Sequence, residues 1–222
     1  MTELARTERS RVRRMPKRGA HDLGAVAAIL DAGFLCHVGY VIEGKPYVTP
    51  TSYWREGDHV YWHGSSASRM LRTLEEGAEA CLTVAHVDGL VLARSGFHHS
   101  VNYRSVMLFG RAHKVEADAA KEKALESFVE RLYPGRWKEL RPVNRKELKA
   151  TTVLRMKIEE GAAKVRTGPP VDDEEDYSLP IWAGVIPVGM RVQAPLADAR
   201  LGAAVPVPEY LSSLAHIGLD RA

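Results

Sequence analysis

Only two of the 222 residues are cysteine, Cys36 and Cys81. So few thiols in so long a chain exclude a disulfide scaffold. Both lie in apolar runs, "FLCHVGYV" and "EACLTVAHV", where a core thiol is the ordinary reading. That usage predicts a reducing, cytoplasmic compartment. No apolar stretch approaches the length of a membrane span, and none follows the basic start as a secretory signal would. Net charge is only +3 at pH 7, too small to argue for a nucleic-acid partner. The common phosphate, metal and nucleophile motifs are missing: no GxGxxG after a strand, no GxxxxGK[ST], no HExxH, no CxxC and no GxSxG. His98 and His99 are neighbours, and in a strand they would face opposite sides, a poor geometry for one metal. Any chemistry therefore calls for a bound organic cofactor.

What charge there is crowds the start. Arg6, Arg9, Arg11, Arg13, Arg14, Lys17 and Arg18 face a single acid, Glu8. This block reads as a solvated arm, or one lying across a partner subunit; DNA, RNA or an acidic partner is the alternative. Next, "HDLGAVAAILDAG" reads as a helix with Asp22 as N-cap and Gly33 just past its end. Three strands follow, "FLCHVGYVI", "KPYVTPTSYW" and "DHVYWH", separated by the turn-like "EGK" and "REGD". A helix over about residues 68–76 closes at Gly77. Two strands, "EACLTVAHV" and "LVLARS", are predicted to form a hairpin at Asp88-Gly89. "NYRSVMLFGRAHKVE" is long and β-forming, and Gly110 inside it marks a bulge or a close approach. Leu125, Phe128, Val129 and Leu132 repeat at helical spacing behind Asp118 as cap, and "TTVLRMKIEE" and "AAKVR" close the strand set. Many strands with almost no βαβ alternation predict a small antiparallel barrel flanked by helices. The organisation is an arm over residues 1–20, a barrel over 21–166, and an acidic loop with a docked extension over 167–222, with a short helix near "PEYLSSLAHI".

One turn carries the strongest chemical signal. In "HGSSASRML" a strand runs into a helix N-terminus, where unpaired N–H groups and the dipole favour an anion. Ser65, Ser66 and Ser68 add hydroxyls, and Arg69 adds a fork of donors. A plain serine cap with Arg69 in water is the competing reading. In "PYVTPT", Pro50 lacks an N–H, so its strand lies at an edge or is locally irregular, and free backbone groups there suit the edge of a flat heterocycle. Arg104, amid apolar residues, requires a phosphate or a carboxylate partner.

Taken together, "PYVTPTSYW", "YWHGSSASRM", "NYRSVMLFG" and "KVRTGPPVDDEEDYSLPIWAGVIPV" resemble the flavin-nucleotide-binding split barrels related to pyridoxamine 5′-phosphate oxidase, near the nitroimidazole-resistance (Nim-type) branch. The resemblance runs from about Arg11 to Pro187 and rests most on the second and third stretches. It implies a mainly β, six-stranded antiparallel split barrel, a homodimer, and FMN at the subunit interface, with FAD or haem as other cofactors. Val48, Thr49, Pro50 and Thr51 would offer backbone atoms to the isoalloxazine ring. His63, Gly64, Ser65, Ser66, Ser68 and Arg69 would approach ring and phosphate. Met70 stands where the oxidase has a basic residue, and Ser105, preceded by Arg104, where it has a flavin-contacting glutamine. Lys164 and Arg166 would reach the site from the closing strands, across the dimer. His63 matches a flavin-side histidine and is the catalytic candidate; a core-facing histidine is the alternative. Trp182 covers the site or packs. The oxidase's C-terminal substrate-binding arginine and histidine have no counterpart. The implied activity is electron transfer from a reduced nicotinamide to a small acceptor such as a nitroaromatic. The alternative is a non-catalytic flavin or haem carrier, for which His37, His98 and His99 are available. Neither membrane nor nucleic acid is an expected partner.

Overall fold

The chain folds around a curled antiparallel sheet whose strands alternate inward apolar and outward mixed residues. The computed structural model describes residues 2–202, 205–212 and 220–221. In chain order the elements are β1 (Gly19–Ala20), α1 (Leu23–Asp31), β2 (Leu35–Ile42), β3 (Lys45–Glu56), β4 (His59–Ser65), α2 (Arg69–Glu75), β5 (Glu79–Leu92), β6 (Ser100–Arg111), β7 (His113–Lys114), α3 (Asp118–Leu132), α4 (Arg145–Ala150), β8 (Thr151–Lys157), β9 (Glu160–Arg166) and β10 (Gly184–Pro187). The ten strands run β1-β9-β6-β5-β2-β3-β4-β8-β7, with β10 added along β5. The split barrel is thus realised with more strands than the expected six. No helix among the described residues is long and apolar enough to cross a membrane.

Alternation decides the faces. On β2, Cys36, Val38 and Tyr40 point inward, while Leu35, His37 and Val41 point out. The interior is filled by Tyr53, Trp62, Leu82, Leu108, Leu154 and Met156, together with Val26, Ile29 and Leu30 of α1 and Met70, Leu71 and Leu74 of α2. Burial pushes the Cys36 thiol up to about 12, so it is an inert core group. A second, smaller core lies under α3, where Trp54, Val115, Ala124 and Val153 meet Tyr61, Leu125 and Phe128.

The turn chemistry explains most boundaries. Asp22 caps α1 by accepting from Ala25 N–H at 2.8 Å. The "EGK" hairpin places both Glu43 and Gly44 at positive φ, as a primed two-residue turn requires. Gly77, at φ 97°, ends α2.

Several expectations are corrected. Gly33 does not end α1 in a left-handed conformation; it is glycine because the His86 ring lies where a Cβ would sit, 2.5 Å away at Cε1. Asp88-Gly89 is no hairpin. β5 runs through it with a register shift, because Asp88 is held by Arg104 and Gly89 admits Val185 of β10, whose Cγ1 would be 2.8 Å from an added Cβ. Asp118 lies in the first turn of α3 but makes no cap; Ala117 occupies that position. Gly110 marks a close approach of Met156. The helix α4 was not read from the sequence, although Asn144 and Glu147 form a capping box there. Trp182 is 66% exposed and stands against Gly184 rather than in either core. Around "PEYLSSLAHI" a 3₁₀ turn covers Glu209–Ser212, and the rest lies outside the described residues.

The basic arm is not simply solvated: part of it packs on its own barrel. Leu4 is 4% exposed and belongs to the main core. Arg9 binds Glu160 at 2.8 and 2.7 Å and Glu79 at 2.5 Å, with its guanidinium 4.9 Å from the Phe109 ring centre. The arm is therefore strapped across β6 and β9.

The closest backbone approach yields a prediction. A Cβ on Gly161 would lie 2.5 Å from the Met107 carbonyl and 2.8 Å from Leu108 Cδ2. Gly161→Ala is expected to destabilise the fold by about 1–3 kcal/mol through overpacking. Thermal melting of the variant beside the parent checks this.

Candidate functional site

The serine-rich turn projects from the end of β4. Ser66 N–H donates to the Ala150 carbonyl at 2.8 Å and Ser68 N–H to the Ser65 carbonyl at 2.8 Å, which folds the loop back on itself. Ser68 Oγ accepts from Leu71 N–H at 3.5 Å and is the N-cap of α2. Ser65 Oγ accepts from Ala67 N–H at 3.2 Å and keeps its own hydrogen free to donate outward. Ser66 and Arg69 are exposed. Met70 is buried in the core, so the basic residue of the oxidase has no substitute at that position.

Arg69 ties the turn to β3. Its guanidinium lies 4.5 Å over the Tyr47 ring, Tyr47 stacks on Tyr40 at 5.6 Å, and Tyr40 Oη meets Thr49 Oγ1 at 3.1 Å. Arg69 makes no ion pair among the described residues, so its donors stand free. β3 pairs with β2 over Lys45–Ser52, whereas β4 pairs only with Tyr53–Glu56. The segment Val48–Thr51 consequently keeps one free backbone edge, and Pro50 sits there at an edge, as its missing N–H requires. Gly64 continues β4 opposite Thr152, beside α2. Val48 is 67% exposed, and with Pro50 it faces outward. The first group of expected residues is thus assembled: a free strand edge, outward hydroxyls and an unpaired guanidinium. Tyr47 and Tyr40 were missed, although the alternation of "PYVTPT" places Tyr47 beside Thr49 and Thr51 on one face.

The second group lies elsewhere. Between β9 and β3 stand β6, β5 and β2, so Ser105, Lys164 and Arg166 do not meet Arg69 within one chain. Arg104 is already engaged, with two parallel bonds to Asp88 at 2.9 and 2.8 Å. The carboxylate partner is the one realised, and Arg104 leaves the set of free phosphate ligands. Ser105 Oγ donates to the Lys164 carbonyl at 3.3 Å. Ser105 and Lys164 line a cavity of about 270 Å³ beneath Arg9–Arg14 of the arm. Lys164 and Arg166 line another of about 510 Å³, with Arg14 and Arg18. The acidic loop does not neutralise them: Asp172 pairs with Arg94 at 3.0 Å and Asp173 with His98 at 3.3 Å.

His63 is packed rather than presented. Its ring meets Phe128 of α3 edge-on at 4.7 Å and Trp54 at 5.9 Å, and its Nδ1 is buried without a partner. These contacts favour the core-facing alternative for His63. Burial pushes its pKa below the ordinary 6.5. The unfolded chain therefore binds this proton more readily. His63 costs no stability above pH 6.5 and progressively more as pH falls below it. His63→Phe is expected to flatten that acid-side loss, measured by urea unfolding between pH 7 and 5, without changing any bound chromophore.

This arrangement has relatives. Residues 22–165 match the family model described as pyridoxamine 5′-phosphate oxidase. The chain belongs to the pyridoxamine 5′-phosphate oxidase-like family. The flavocytochrome Anf3 from Azotobacter vinelandii is 50% identical, with 93% of this chain and 96% of that one covered at a TM-score of 0.89. An FAD and haem binding protein from Mycobacterium smegmatis is 37% identical, with 89% and 97% covered at a TM-score of 0.85. A candidate 5-nitroimidazole antibiotic resistance protein from Bacteroides thetaiotaomicron shares the fold at 22% identity, covering 66% and 86% with a TM-score of 0.56. No curated protein matches the chain. The structural relatives are flavin-binding split barrels, and this family membership supports flavin binding here.

Proposed function

We propose that this protein is a homodimeric flavin-dependent redox protein that moves electrons from a reduced nicotinamide to a small acceptor, nitroaromatics included. The carrying observation is the Arg69 guanidinium, held over Tyr47 beside the free edge of β3 with no acid paired to it among the described residues. The residues fit a flavin nucleotide: Arg69, Ser65 and Ser66 for phosphate, and the Val48–Thr51 backbone for the ring's hydrogen-bonding rim. When bound, a flavin supplies hydride acceptance and onward electron transfer. The chain's own residues fix its orientation, and a second copy excludes water. The dimer is favoured by the outward face, where Leu35, Val41, Val48 and Met107 are 52, 54, 67 and 43% exposed.

The relatives at 50 and 37% identity favour a second reading, a flavin and haem carrier, because their names include a flavocytochrome and an FAD and haem binding protein. Purified protein with flavin absorption that bleaches on adding NADH or NADPH supports the reductase. A Soret band with no bleaching supports the carrier. Mass spectrometry of the molecule released on heating separates FMN from FAD. Colourless protein releasing no flavin contradicts the proposal.

A further inference from the structure

We propose that the cavity between α3, α4, the start of β8 and the β4–α2 turn seats the phosphate of a phosphorylated sugar. It holds about 510 Å³, within the range of small-molecule sites. Lys114, Lys121, Arg145 and Lys149 line it, and the acids of its lining are Glu116 and Asp118. Lys114 is already held by Glu75 at 3.5 Å and by Glu116 at 3.8 Å. The other three cations, and Asp118, make no ion pair among the described residues. What remains on the wall is a surplus of two positive charges, the match of a phosphate monoester dianion.

Lys121 carries the argument furthest. It is 7% exposed, and its side-chain ammonium donates only to the Leu148 carbonyl of α4, at 3.0 Å. An ammonium has three N–H donors, so two are left without a protein partner among the described residues. A buried cation is normally matched by an anion, because its desolvation is otherwise uncompensated. The Leu148 carbonyl accounts for one donor; it accounts neither for the charge nor for Arg145 and Lys149 beside it. The helices gather these groups. Arg145 and Lys149 stand four apart on α4, and Asp118 and Lys121 three apart on α3, each pair on one helix face. α3 also starts at Ala117 with no side-chain cap, which leaves its first N–H groups and its dipole for an anion.

The lining also selects what carries the phosphate. Asp118, when ionised, only accepts hydrogen bonds, so it disfavours a bare anion and favours a ligand with a hydroxyl to donate. Ser66, Thr151 and Thr152 supply hydroxyls that both give and take. No aromatic side chain lines the cavity among the described residues, so the recognised end is a sugar phosphate and not a base or a flavin ring. Arg69, Tyr47 and Val48–Thr51 are absent from its wall, and Ser66 is the one residue shared with the proposed flavin cradle. Two sources present this chemistry: the 2′-phosphoribose of a reduced nicotinamide dinucleotide phosphate, and a free sugar phosphate. The first deepens the reductase reading above and rests on it; the seat itself does not.

The test uses the full chain as purified and spares buried Lys121. NADP+, NAD+, ribose 5-phosphate and inorganic phosphate are titrated by calorimetry into the parent, the Arg145→Gln/Lys149→Gln double variant and Lys149→Glu. Both substituted side chains are exposed. The parent is expected to bind NADP+ or ribose 5-phosphate. Both variants should weaken that binding roughly ten-fold or more, at unchanged melting temperature and with flavin retained. A preference for NADP+ over NAD+ that disappears in the variants identifies the dinucleotide source. Binding of ribose 5-phosphate with no such preference identifies the free sugar phosphate. No binding of either phosphorylated probe, or binding within two-fold in all three proteins, overturns the seat. Inorganic phosphate binding as tightly as the phosphorylated probe overturns the sugar assignment. Loss of flavin from a variant at unchanged melting overturns the proposal, by placing these cations in the flavin cradle. A colourless parent that binds a phosphorylated probe sinks the flavin reading and leaves the seat standing. A flavin-bearing parent that binds neither probe does the reverse.

Discussion

Arg69→Ala is expected to bind flavin roughly 10–150-fold more weakly, the equivalent of losing one charge-assisted hydrogen bond of about 1.5–3 kcal/mol. The reasoning is local. Arg69 is exposed and rests on the Tyr47 ring at 4.5 Å, and no carboxylate among the described residues competes for its fork. Its removal deletes a phosphate donor and only a surface cation–π contact, worth about 0.5–1 kcal/mol of stability. The variant should therefore melt near the parent while losing colour on gel filtration. Arg69→Lys should recover part of the affinity, because it keeps the charge but not the planar fork. Ser68→Ala should act differently. Ser68 Oγ is occupied as the cap of α2, so its loss costs about 0.5–2 kcal/mol of stability and flavin affinity follows only indirectly. Titrating flavin-free protein with FMN and FAD and following flavin fluorescence checks all three variants. Full retention of flavin by Arg69→Ala contradicts the assigned cradle.

Leu35→Asp is expected to turn a dimer into a monomer. Leu35 and Val41 lie outward on β2, Val48 and Pro50 outward on β3, and Met107 outward on β6, one strand beyond β5. In a lone chain this apolar face would stand in water. A dimer would cover it. An unpaired carboxylate buried in that contact costs several kcal/mol, enough to weaken association by about 1,000-fold or more. Sedimentation velocity measures the shift, and dependence of melting on protein concentration should disappear with it. Val41→Asp serves as an independent copy of the test. A parent that is monomeric at micromolar concentration contradicts the covered face.

How far the sequence could be read depended on the range of the interactions. Local signals were legible. Asp22 and its cap, the Glu43-Gly44 turn, the alternation of β2 and the helical spacing of α3 all depend on neighbours a few positions away. The turn that bears Arg69 belongs to the same class. Non-local partners were not legible. Asp88-Gly89 has the composition of a hairpin, but Arg104 and Val185, distant in sequence, convert it into a continuous strand. Gly33 looks like a helix terminator and is in fact a socket for His86. His63 gives no local sign that Phe128, sixty-five residues on, packs edge-on against it. The arm reads as solvated because its charge is visible locally, whereas the buried apolar residue that anchors its start, Leu4, needs the barrel to reveal its role. The site divided in two for the same reason: strand order, not strand pattern, determines whether Lys164 lies near Arg69.

Native mass spectrometry of the purified protein tests the central claim most directly, since it weighs chains and cofactors together. The account predicts twice the chain mass plus two flavin nucleotides. A single chain with no flavin-sized addition would contradict it.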